Sequence, residues 1–129
     1  MMFRAFLFRT DAGAYWSVVD DDTYETVELA DAFLQYIRFG RGRTESTSRK
    51  YAEAVALYFS YCRTRSTRWT DPNMTAFQMW LRVAQSPRRS ATMRQNVFDT
   101  ARPVRSDNHI NLISYVVSEM FKFAAAEGF

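Results

Sequence analysis

The chain has a single cysteine, Cys62, and a single histidine, His109. A lone thiol cannot close an internal disulfide, and with one imidazole beside it the ligand set of a structural zinc site is incomplete. This usage suits a reducing compartment. No apolar run approaches the ~20 residues that span a bilayer. The opening MMFRAFLFR carries arginines within its short apolar stretch, where a secretory leader would carry them before it. A soluble, cytoplasmic chain without membrane association is therefore expected, and no residue cluster calls for a cofactor. Internal repeats and low-complexity segments are also missing.

What is present is apolar and aromatic. With 129 residues, 47% apolar and 16% aromatic, the chain can build one compact domain with a small appendage and can offset its ordering entropy. Disorder throughout is excluded. Charge is unevenly placed: residues 1–35 carry 2 basic and 7 acidic side chains, residues 36–105 carry 14 and 4, and residues 106–129 carry 1 and 3. Of the 17 basic residues 15 are arginine, whose planar fork suits bidentate contact with phosphate. The basic middle admits a polyanionic partner or a solvated arginine-rich surface.

Hydropathy period divides the chain. Residues 3–9 and 14–20 read as two strands about a turn containing Asp11 and Gly13, and a lone hairpin is marginal in water unless it packs on something else. Asp20, Asp21 and Asp22 read as a linker. From residue 27 the period becomes helical. Leu29, Phe33, Leu34 and Ile37 form a first stripe ended by Gly40 and Gly42. A second helix follows Thr44 or Ser46 as cap, with Tyr51, Val55, Tyr58, Phe59 and Cys62 on one face. A third, over 71–86, starts with Asp71 as cap and Pro72 in its first position, and carries Met74, Phe77, Leu81 and Ala84. Residues 86–105 hold two prolines and five arginines and read as a long loop. A fourth helix starts near Ser106 or Asp107, carries Ile110, Ile113, Val117, Met120, Phe121 and Ala124 on one face, and stops at Gly128. The expectation is a mainly α fold, four helices preceded by a β-hairpin, divided into 1–22 and 23–129.

The helical patterns carry a family resemblance. The fourth helix, INLISYVVSEMFKFAAAEGF, resembles the tyrosine recombinase (phage integrase) helix in which Ile-Asn leads through an apolar segment to an aromatic pair around a basic residue and a closing Glu-Gly. Ile110, Asn111, Phe121, Lys122, Phe123, Glu127 and Gly128 carry that match. TSRKYAEAVALYFSYC is similar to the family's second helix through Thr47, Arg49, Lys50, Tyr51, Leu57, Phe59 and Tyr61. TDPNMTAFQMWL resembles its acidic-start helix. The resemblance covers about residues 27–129 and implies a SAM-like, core-binding four-helix bundle that clamps double-stranded recombination-site DNA, with self-association on DNA through the full-length recombinase. The hairpin lies outside that domain. Where the family has His-x-x-Arg, His109 is followed by Leu112, so no catalytic set is expected in this chain. The ending at Glu127-Gly128-Phe129, where the family continues into its catalytic domain, favours a fragment over a stand-alone binder.

The residues expected at DNA follow from charge and position. Arg41 and Arg43 precede the second helix, Thr47 offers a hydroxyl to phosphate or to its own backbone, and Arg49 and Lys50 lie in the first turn. Cations there oppose the helix dipole, which favours an anionic partner over a structural purpose. Arg88, Arg89, Arg94, Arg102 and Arg105 supply the long loop with charge, and His109 and Asn111 begin the fourth helix, where short polar groups reach base edges or sugar–phosphate. The competing reading is a helical protein-interaction module with no DNA role, its hairpin pairing with a partner strand and its arginines meeting acidic surfaces.

Overall fold

The computed structural model describes residues 2–83 and 104–129. Among them the order is β1 (Phe3–Thr10), β2 (Gly13–Asp20), α1 (Glu28–Gln35), a π-turn (Tyr36–Gly40), α2 (Glu45–Thr64), α3 (Met74–Val83) and α4 (Asp107–Glu127). The protein is mainly helical with an N-terminal antiparallel hairpin. No helix among the described residues is long and apolar enough to cross a membrane. Ala84, Arg88, Arg89, Arg94 and Arg102, with most of the expected long loop, lie outside the described residues.

The hairpin pairs Phe3 with Asp20 through to Thr10 with Gly13. Asp11 and Ala12 connect the strands, and Gly13 takes a φ of 127°, a conformation that a side chain would strain. Alternation gives the sheet two faces. Phe3, Ala5, Trp16 and Val18 pack on the helical core, and Phe3 and Trp16 also donate their backbone N–H groups to Ser60 Oγ and Ser48 Oγ of α2, each at 3.0 Å. The hairpin is thus stabilised by α2 rather than by a third strand.

Contacts across residue 22 are polar as well as apolar. Arg63 at the end of α2 reaches Asp20 at 2.7 Å and stacks over the Phe3 ring at 4.1 Å. The guanidinium bond to Asp20, helped by the backbone N–H of Asp22, holds that carboxyl below the usual aspartate range. Beneath β2, Asp31 of α1 accepts from Tyr15 Oη at 2.7 Å, Ser17 Oγ at 2.8 Å and Gln35 Nε2 at 2.8 Å. Burial and the Asp31 carboxylate push the Tyr15 hydroxyl well above its ordinary range, so it remains a donor.

α2 lies at the centre. Val55, Tyr58, Phe59 and Cys62 are buried as their spacing predicts, but so are Ser48, Ala52, Ala54, Ala56, Ser60 and Tyr61. The expected one-sided amphipathic helix is therefore corrected: its small residues form a second buried side. Ser48, Ala52, Ala56 and Ser60 recur at four-residue intervals, and the outer two bind hairpin backbone, so the intervening alanines let the sheet come close.

Two helix ends also differ from expectation. The first helix does not run regularly to residue 39: after Gln35 it widens into the π-turn, closed by the Arg41 N–H donating to the Tyr36 carbonyl at 2.8 Å. Gly40 leaves room for the Tyr36 ring, since a Cβ there would stand 2.7 Å from it and force it to shift. At α3, Asn73 is the cap rather than Asp71, its Oδ1 accepting from Ala76 N at 3.0 Å, and Pro72 precedes the helix. Thr44 caps α2, Ser106 caps α4 and Gly128 closes α4 in the left-handed conformation.

Candidate functional site

A groove of about 820 Å³ runs between the hairpin, the exposed flank of α2 and the start of α4. Its apolar floor includes Phe3, Trp16, Leu57 and Ile113, and its polar lining includes the cations Arg4, Arg49, Lys50 and Arg105, His109, and the carboxylates Asp21 and Glu53. Capping explains this convergence. Thr44 Oγ1 accepts from Thr47 N at 3.2 Å and Ser106 Oγ from His109 N at 3.2 Å, which fixes where α2 and α4 begin. Residues about 60 positions apart in sequence then border one opening.

The cations in and around the groove are not equivalent. Arg49 pairs with Glu53 at 3.1 Å and stacks over the Trp16 ring at 5.0 Å, so it has a structural role, and because α2 starts at Glu45, Arg49 and Lys50 lie past the first turn where they were expected. Arg4, absent from the sequence-based set, faces Asp21 at 2.7 Å. Its position in an alternating apolar strand gave no sign that it would reach this groove. Arg105 is corrected more sharply: it is only 7% exposed, and its guanidinium donates to the Leu81 carbonyl at 2.8 Å, tying the approach to α4 onto α3. It is an anchor between elements rather than a free loop cation. Lys50 is exposed and makes no ion pair among the described residues.

Other expected residues lie outside the groove lining. Arg41 extends to Glu119 of α4 at 3.8 Å, where Lys122 also approaches at 3.7 Å, beside a smaller hollow of about 220 Å³ walled by Phe33, Tyr36 and Phe123. Tyr115 donates to the same Glu119 at 2.8 Å, and the carboxylate raises the phenol pKa. Arg43 is exposed, Asn111 is exposed on α4, and Thr47 is half-buried with its hydroxyl accepting from Thr44 Oγ1 at 3.1 Å. Thr47 keeps its own hydroxyl proton as a donor.

The tyrosine and cysteine side chains of the core have packing roles. Tyr58 is 1% exposed and donates to the Trp69 carbonyl at 2.6 Å, with Phe77 and Phe121 against its ring. Burial raises the Tyr58 hydroxyl pKa and that of the Cys62 thiol, leaving both protonated at neutral pH. Neither is poised as a nucleophile.

No protein-family model matches the chain, and no curated protein or solved structure gives a significant match.

Proposed function

We propose that this chain is the DNA-binding domain of a site-specific tyrosine recombinase, a core-binding bundle of the SAM-like type that grips duplex DNA through its phosphates. The observation that carries the reading is that the starts of α2 and α4 border one groove, Ser46 in the first turn of α2 and Lys50 in its second facing His109 in the first turn of α4. Helix N-termini present unpaired N–H groups and a partial positive charge, which suits phosphate oxygens. Exposed Arg43 and partly exposed Arg41 extend this basic surface along the entry to α2. In this reading Arg49 and Arg105 hold the surface in shape, and the phosphoryl-transfer chemistry belongs to another domain.

Fluorescence anisotropy with a labelled duplex, titrated with salt, tests the proposal. Binding at low salt is expected to weaken steeply and linearly in log–log form, with a shallower slope after Lys50→Glu or Arg43→Glu. Absence of binding at low salt to the element's own attachment site, or charge reversals without effect, would sink it.

A further inference from the structure

We propose that the outer edge of β1 pairs with the same edge of a second copy of this chain, giving a two-fold antiparallel sheet centred on Leu7. The inference is independent of the DNA reading and rests on how differently the two hairpin edges are treated. Across the hairpin's short turn, Thr10 and Gly13 form the first hydrogen-bonded pair, so Phe3, Ala5, Leu7 and Arg9 turn their backbone polar groups away from β2. Phe3 N confirms the phase by donating to Ser60 Oγ.

On β2 at least one outward group of each outward-facing residue is taken. The Ala14 carbonyl accepts from Arg38 Nε at 3.0 Å, Trp16 N donates to Ser48 Oγ at 3.0 Å, the Val18 carbonyl accepts from Val27 N at 3.3 Å, and Asp20 N donates to the Glu25 carbonyl at 2.9 Å. On β1, among the described residues, only Phe3 is satisfied in this way. The outward N–H and carbonyl groups of Ala5, Leu7 and Arg9 have no partner among the described residues. An apolar edge strand with free backbone groups is a template for another strand.

A second copy fits this template by its own pattern. With Leu7 opposite Leu7, Ala5 of each copy faces Arg9 of the other, and every open backbone group on both edges is paired at once. Phe6 then stands opposite Phe8, extending the contact these rings already make at a centroid distance of 5.2 Å. The charges are compatible: Arg9 meets alanine and Arg4 meets Thr10, so no arginine faces another. Moving the register toward the strand's start would require Phe3, whose N–H is already bound to Ser60. The interface is smaller than that of a permanent dimer, so association in the micromolar range is expected.

Leu7→Pro gives a specific test, because the lost N–H points outward and the β1–β2 ladder does not use it. Sedimentation velocity of the full chain from about 5 to about 500 µM is expected to show a monomer–dimer equilibrium. Hydrogen exchange at Ala5, Leu7 and Arg9 should slow by about tenfold across that range. Leu7→Pro and Leu7→Lys, the second setting like charges face to face, should each weaken association by about tenfold or more while the circular dichroism remains native. If Leu7→Pro fails to fold, Leu7→Lys and the exchange data decide. A monomer at every concentration, unchanged exchange at those amides, or a dimer that survives in a folded variant overturns the proposal. Fast exchange in a monomer would leave the edge to another protein's strand.

Discussion

Arg49 and Lys50 are adjacent in sequence, yet among the described residues only the first has an ion-pair partner. Removing Arg49 costs its Glu53 pair and its packing on Trp16, so Arg49→Ala should lower stability by about 0.5–1 kcal/mol, measured by urea unfolding. Lys50→Glu should leave the unfolding midpoint nearly unchanged and weaken duplex binding by about tenfold, read by anisotropy at fixed salt. Tyr58→Phe strips the Trp69 carbonyl of a buried donor and is expected to destabilise by about 1–3 kcal/mol in thermal unfolding. Asp20 has a pH consequence. Its folded pKa lies below the unfolded value of 3.8, so its contribution is present above that value and is lost as pH falls through the folded pKa. Acid titration of stability should therefore show a component below about pH 4 that Arg63→Gln diminishes, the Asp22 and Thr23 backbone N–H groups keeping the rest.

At the scale of elements, the decisive surface is the small-residue side of α2. Ala52 is fully buried between the two serines that bind the hairpin, so Ala52→Leu should overpack that contact and cost about 1–3 kcal/mol. Helical period located the large-residue stripe because leucine, phenylalanine and tyrosine dominate such a pattern. Alanine and serine are equally common on exposed helices, so their four-residue recurrence identifies a close approach only once the opposing sheet is known. The cap of α3 was misplaced for a related reason. Asp71, Pro72 and Asn73 all carry helix-start chemistry, and local sequence does not choose among them; in the fold Asn73 Oδ1 takes the Ala76 N–H. Asn73→Ala should cost about 1 kcal/mol, whereas Asp71→Ala should be nearly neutral.

For the whole molecule, the hairpin and helices share one apolar core through Val18, Phe3 and Trp16. A chain beginning at residue 23 would expose the buried alanine and serine side of α2 and lose the Asp20–Arg63 and Tyr15–Asp31 bonds. It is expected to be less stable and prone to association, measurable by a lower melting temperature and by light scattering. The candidate site also belongs to this scale. Arg49, Lys50, Arg105 and His109 were legible as individual candidates, but their common groove depends on α2 crossing beneath the hairpin and on α4 returning beside it.

By itself the sequence determined the hairpin, the helical stripes, the glycine stop of α4 and the uneven distribution of charge. These follow from local periodicity and capping, which act over a few residues. Only the tertiary structure decided that Arg105 is a buried anchor, that among the described residues Arg49 has an ion-pair partner and Lys50 has none, and that along β2's outer edge every outward-facing residue has a bonded group whereas on β1 only Phe3 does. A charge's availability and a strand edge's exposure depend on groups brought close from elsewhere in the chain, and packing in three dimensions sets those distances.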